Sequence, residues 1–184
     1  MVATERSHVL LPHPGGIQVP PDWRIGVDMA VTSQHLQLTY RFPRAGTRIA
    51  PSSSHPVRRN GLWQTTCAEV FVGLQQHSSY REFNFAPSGD WACYDFAAYR
   101  ESSDACPAVE APFVQAAACD DIAIVRVELP LASLPAAERE SYRIGLSMVL
   151  EDHAGGLSYW ALAHSPARAD FHDAACFVAT LPTP

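Results

Sequence analysis

The sequence predicts an all-β protein: an antiparallel β-sandwich of about ten or eleven strands with one short helix. Apolar and polar residues alternate with period two through most of the chain, and clusters of Pro, Gly, Ser and Asp break that alternation at strand-length intervals. Fifteen prolines in 184 residues fit short strands and many loops better than long helices.

The alternation places strands at Ser7–Leu11, Arg24–Val31, His35–Phe42, Thr65–Leu74, Tyr80–Ala86 and Trp91–Tyr99 in the first half. In the second half it places them at Val109–Ala117, Ile122–Glu128, Arg143–Leu150, Ser158–Ala163 and Ala175–Leu181. The one helical stretch is Leu134–Tyr142, where Ser133 can cap, Pro135 suits the first turn and good helix formers follow. Pro43–Asn60 has no apolar periodicity and reads as a long loop, with further irregular stretches at Glu101–Cys106 and His164–Asp173. No internal repeat or linker divides the chain, so residues 1–184 read as a single domain able to bury roughly 70% of its unfolded surface.

Charge and cysteines narrow the function classes. A formal net charge of −6 with scattered acids argues against a nucleic-acid footprint. All basic residues are Arg, which proves no phosphate site. Cys67, Cys93, Cys106, Cys119 and Cys176 show no CxxC spacing, so they read as apolar thiols in a reducing compartment. No stretch approaches the ~20 apolar residues of a membrane helix. The N-terminal segment lacks the leader pattern of an exported protein, which makes the expected location cytoplasmic. Oligomeric state is not legible.

The block from Leu62 to Arg100 carries the most chemistry. In Thr65–Leu74 the even positions are apolar or nearly so, while Glu69 shares the other face with Cys67 and Phe71. Arg81, Phe83 and Phe85 alternate with Tyr80, Glu82 and Asn84. Beyond the Ala86-Pro87-Ser88-Gly89 turn, Trp91, Cys93 and Asp95 alternate with Ala92, Tyr94 and Phe96. An acid, an amide and an indole on adjacent strands can grip a polyhydroxylated ring, with Arg100 adding a guanidinium. Glu69, Asn84, Trp91 and Arg100 are therefore expected to converge on one sheet face. The plainer alternative pairs Glu69 and Glu82 with Arg81 or Arg100 as cross-strand ion pairs and leaves the aromatics in the core.

A second constellation follows Trp160. His164, Asp170 and His172 lie in a loop whose spacing matches no standard zinc signature, so no metal site is expected. The loop should fold back over one end of the sandwich with Trp160 as anchor, making Trp160, Asp170 and His172 further candidate binding residues. There is no GxSxG elbow, GxGxxG or GxxxxGK[ST]. Met148 and His164 are a conceivable haem-ligand pair, though Met148 between Leu146 and Leu150 has the spacing of a core methionine.

The run LWQTTCAEVFVG, the hairpin EFNFAPSGDWACYDF, the segment VRVELPLASL and the closing SYWALAH…DFH resemble the DOMON-like superfamily. That superfamily includes family 9 carbohydrate-binding modules and the cytochrome domains of some oxidoreductases. The resemblance runs from about Trp23 to Leu181 and is strongest in the central block; it looks most like a bacterial single-domain subgroup without a settled function. It implies a sandwich with a ligand cleft on one sheet, with Glu69 as the family's acidic residue and Asn84, Trp91 and Arg100 facing the cleft. The leading expectation is a non-catalytic module binding a saccharide or glycan fragment, without a cofactor. The alternatives are a haem-binding electron-transfer domain, or an enzyme acting on a sugar derivative with Glu69 or Asp95 as acid or base.

Overall fold

Twelve strands and three single 3-10 turns make up the computed structural model, which describes residues 5–103, 108–137 and 140–181. In chain order the strands are β1 (Arg6–Pro12), β2 (Ile25–Val31), β3 (His35–Pro43), β4 (Cys67–Leu74), β5 (Tyr80–Phe85) and β6 (Trp91–Ala98). They continue with β7 (Glu101–Ser102), β8 (Phe113–Cys119), β9 (Ile122–Pro130), β10 (Tyr142–Glu151), β11 (Leu157–Ala161) and β12 (Ala179–Leu181). Every predicted strand is present within a few residues, except that the last is shorter: Ala174–Cys176 is a 3-10 turn and pairing starts at Ala179.

Pairing is antiparallel throughout the ladders, in the order β7-β6-β5-β4-β10-β11-β1-β2-β3-β9-β8. β1 makes the corner. Its first part, from Arg6 to Leu10, pairs with β2, and Leu11 and Pro12 then pair with β11. The ladder thereby divides into two packed sheets. β12 lies against β10 at Tyr142–Ile144, in line with β11, which pairs farther along the same strand.

The core fills the space between the sheets. Ile25, Val27, Leu38, Tyr40, Phe42, Val125 and Val127 of one sheet meet Val70, Val72, Phe83, Phe85, Leu146, Met148 and Trp160 of the other. Each large side chain buried there contributes ~1.5–3 kcal/mol. Tyr40 keeps its hydroxyl satisfied by donating to the Glu69 carbonyl at 2.6 Å, a bond that ties the sheets together.

The expected helix is absent from its described residues. A single 3-10 turn occupies Leu131–Ser133, and Leu134 is already extended at ψ 159. Pro135 explains this: its ring disfavours helical backbone in the residue before it. Glu138 and Arg139 lie outside the described residues, and Tyr142 opens β10. The short β7 falls inside a stretch expected to be irregular. It forms after a register shift between Phe96 and Ala98. No helix among the described residues is long and apolar enough to cross a membrane.

Candidate functional site

Alternation along β4, β5, β6 and β10 decides which side chains leave the core. Ala68, Val70 and Val72 point inward, so Cys67, Glu69 and Phe71 point out. Register then fixes their neighbours on that outer face: Asn84 and Ser147 stand opposite Glu69, and Glu82 stands opposite Phe71. Tyr94 lies beyond Glu82 on β6.

Two segments cover the ends of this face. The first is the turn Leu62–Gln64, which follows Gly61 in the left-handed region at φ 82. Leu62 packs with Cys67, Ala86 and Ala92, while Asn60 and Gly61 hold the Tyr94 hydroxyl at 3.2 and 3.4 Å. The second runs from His164 to Cys176, where Phe171, Cys176 and Phe177 pack with Phe71, Tyr80 and Phe96. Between them lies a cavity of about 360 Å³. Its walls are Trp63, Tyr94, Phe96, Tyr159 and Phe171, with Glu69, Glu82, Arg100 and His172 as the polar groups.

Glu69 is only 2% exposed; Ser147 donates to its Oε2 at 3.3 Å, and its Oε1 has no partner. Glu82 accepts from Asn84 Nδ2 at 2.8 Å, which leaves Asn84 Oδ1 unpartnered as well. Burial, with each acid's charge opposing the other's, pushes the Glu69 carboxyl well above the ordinary carboxylate range. Burial likewise lifts Glu82 to about 7, against the pull of the Asn84 hydrogen bond and of Arg100. The wall thus holds two acids that resist ionising together.

His172 sits beside them. The Arg100 amide donates to the Tyr80 oxygen at 3.1 Å, and the Tyr80 hydroxyl hydrogen-bonds His172 Nδ1, 2.8 Å away. His172 Nε2 faces Glu82 Oε2 at 3.7 Å. Burial and the nearby Arg100 charge hold this imidazole down at about 4, hence neutral. Asp170 anchors the segment: it is 3% exposed and accepts from Arg100 Nη2 at 2.8 Å, the Tyr99 hydroxyl at 2.5 Å and the His172 amide at 3.2 Å. Burial alone would raise its pKa, but the Arg100 and Tyr99 hydrogen bonds prevail and hold it at about 2. Arg100 has φ 55, a left-handed backbone that turns its amide towards Tyr80.

Of the expected binding residues, the structure brings Glu69, Arg100 and His172 to the cleft, with Asn84 behind Glu82 and Asp170 bracing Arg100. Trp91 is a correction. It stands opposite Phe85 and joins the core, on the sheet face away from Glu69, because residues 86–90 of the hairpin set that register. Trp160 is another: it is 1% exposed in the core, opposite Met148, with Nε1 donating to Ser158. Asp95 shares the Trp91 face and makes a bidentate ion pair with Arg81, away from the cleft. Neither Glu69 nor Glu82 pairs with Arg81 or Arg100, contrary to the plainer alternative. Met148 is wholly buried in the core, and His164 Nε2 donates to the Leu11 carbonyl.

Sequence reasoning did not select Glu82, Trp63, Tyr94, Phe96 or Tyr159. Glu82 was findable, since it shares the alternating set of β5 that contains Asn84, whereas Tyr94 and Phe96 needed the β5–β6 register. Trp63, 43% exposed and edge-on to Tyr94 with ring centroids 5.8 Å apart, precedes the strand and has no periodicity to place it.

No protein-family model matches the chain, and no curated protein matches it significantly. Solved structures share its fold. A candidate carbohydrate-binding protein from Bacteroides uniformis is 14% identical, with a TM-score of 0.64 over 96% of this chain and 85% of that one. A family 9 carbohydrate-binding module from Caldicellulosiruptor kristjanssonii, solved with cellotriose, is 8% identical, with a TM-score of 0.54 over 91% of this chain and 78% of that one. A family 9 module from the same organism, solved with glucose, is 12% identical, with a TM-score of 0.50 over 86% of this chain and 76% of that one. This chain therefore has the fold of carbohydrate-binding modules.

Proposed function

We propose that this chain is a non-catalytic saccharide-binding module of the DOMON-like type, and that the cleft over Glu69 and Glu82 is its site. The observation that carries the reading is Glu69 Oε1, a buried carboxyl oxygen without a partner in the wall of an aromatic-lined cavity. An unpaired buried polar atom costs ~1–3 kcal/mol, and a sugar hydroxyl hydrogen-bonded to it recovers that cost. Trp63, Tyr94 and Tyr159 offer ring surface for the apolar face of a pyranose. Arg100, held by Asp170, adds a guanidinium to the cavity lining. Cys67 and Cys176 are buried thiols, which fits the expected cytoplasmic setting.

Titration of the protein with cellotriose, followed by calorimetry and tryptophan fluorescence, tests the reading. Saturable binding that is lost in Glu69→Ala supports it. Binding that survives that change, or no binding to any of a panel of neutral and charged oligosaccharides, refutes it.

The acid pair favours one other reading, an enzyme acting on a sugar derivative. Glu82, lifted to about 7, holds a proton at neutral pH as a general acid does. Asp95 has no part in it, being paired with Arg81 on the other face. Release of new reducing ends from an oligosaccharide, abolished in Glu82→Gln, distinguishes this reading from simple binding.

A further inference from the structure

We propose that the saccharide taken by the cleft carries a free amino group whose ammonium seats against Glu69 and Glu82; the inference rests on the saccharide reading above. Other buried carboxylates nearby have cations: Asp170 has Arg100 and Arg168, and Asp90 has Arg59. Glu69 has one hydroxyl and an open Oε1, while Glu82 has an amide at 2.8 Å and the neutral His172 at 3.7 Å. Two carboxylates taken out of water without a cation cost several kcal/mol each, so in the empty cleft the pair retains protons.

The groups packed against the pair do not supply that cation. From β4 comes Cys67, kept protonated by burial; from β5 and β6 come the Tyr80 and Tyr94 phenols, whose pKa values burial raises. Tyr40 of the other sheet, likewise buried and protonated, donates to the Glu69 backbone. Arg100 is ion-paired to Asp170 and reaches Glu82 only as a more distant charge that lowers its pKa without forming a salt bridge, and His172 is neutral. An ammonium offers three donors and no acceptor, which complements a site whose spare atoms, Glu69 Oε1 and Asn84 Oδ1, are acceptors. The Trp63, Tyr94 and Tyr159 rings lining the same cleft favour a cation over their faces. An acetylated amine has no charge to offer, and a hydroxyl only one donor.

The proton balance follows. As the ammonium enters, the acid pair ionises and its proton passes to the buffer, so affinity rises as pH climbs towards about 7, where Glu82 titrates, and falls again once the sugar amine itself loses its proton.

Calorimetry at pH 7 with four probes tests this: the β-1,4-linked glucosamine trimer, its N-acetylated counterpart, cellotriose and cyclohexylamine. The glucosamine trimer is expected to bind at least about tenfold more tightly than the other three. Roughly one proton should be released, read from the dependence of the binding heat on buffer ionisation enthalpy. Glu82→Gln, its fold checked by circular dichroism, should cut the preference over cellotriose to below about threefold, with Glu69→Gln as a second variant. Equal or tighter binding of cellotriose or the acetylated trimer overturns the inference and leaves the saccharide reading standing. So does a preference unchanged in both variants. If cyclohexylamine matches the glucosamine trimer while cellotriose does not bind, the ammonium site stands and the saccharide reading falls. No binding by any of the four overturns both.

Discussion

His172 Nε2 lies 3.7 Å from Glu82 Oε2, while its Nδ1 is held at 2.8 Å by the Tyr80 hydroxyl. The pair is neutral on both sides near pH 6, because Glu82 titrates at about 7 and His172 at about 4. The two shifts act on stability in opposite senses. The raised Glu82 pKa contributes stability that is full below its ordinary value of 4.5 and is lost as pH rises through 7. The lowered His172 pKa contributes stability that is full above 6.5 and is lost as pH falls through 4.

Glu82→Gln isolates the acid's share, since an amide of the same shape cannot ionise. Relative to the unaltered chain, the variant should gain on the order of 3 kcal/mol between about pH 4 and pH 8. Urea denaturation at the two pH values checks this. Parallel pH profiles would show that Glu82 ionises freely in the folded protein.

Trp63 and Trp91 should respond to truncation in opposite ways. Trp63 is 43% exposed in the cleft wall, so Trp63→Ala is expected to cost under ~1 kcal/mol of stability while weakening saccharide binding at least about tenfold. Trp91 packs in the core beneath Arg58, whose guanidinium lies 5.2 Å from its ring, so Trp91→Ala should cost ~3–5 kcal/mol. Denaturation curves and fluorescence titrations of both variants decide the matter. Equal stability losses would remove Trp63 from the site.

Asp170 links the 164–173 segment to the turn at Tyr99 and Arg100. Asp170→Asn keeps the shape but removes the charge that faces Arg100 and Arg168. With Asp170 only 3% exposed, a loss of ~3 kcal/mol is expected. Hydrogen exchange should rise in residues 164–173 more than in β4 or β5. Uniform destabilisation without local opening would assign Asp170 to the fold as a whole.

Most of the fold was legible because period-two alternation survives burial of one face. In β4 the parity of Ala68, Val70 and Val72 already put Glu69 outside. What alternation cannot give is the register between strands. The hairpin loop of residues 86–90 sets Phe85 opposite Trp91; a loop one residue different would have turned Trp91 to the Glu69 face. Trp160 presents the same problem: Met148 was recognisable as core, but its pairing with Trp160 needs the β10–β11 register. Trp63 and Asp170 act from irregular backbone, where no period applies. The helix expected at Leu134 failed for a local reason, since Pro135 outweighed the helix formers after it.

Tyr80 joins the turn at Arg100 to the 164–173 segment, and its hydroxyl serves both. It accepts from the Arg100 amide at 3.1 Å and hydrogen-bonds His172 Nδ1 at 2.8 Å, while its ring stacks on Phe96 at 4.8 Å. Tyr80→Phe keeps the stack and removes both hydrogen bonds, leaving an N–H and a ring nitrogen without partners. The expected cost is ~1–3 kcal/mol. If the Tyr80 O–H is the donor in that bond, His172 should also titrate above its value of about 4, because a donor that favours its neutral form is gone. Nitrogen-15 NMR titration of the imidazole reads this directly, and a double-mutant cycle with His172→Gln should show positive coupling between the two positions. An unchanged His172 titration would mean that the Tyr80 hydroxyl faces water in solution, and that burial and Arg100 alone keep the imidazole neutral.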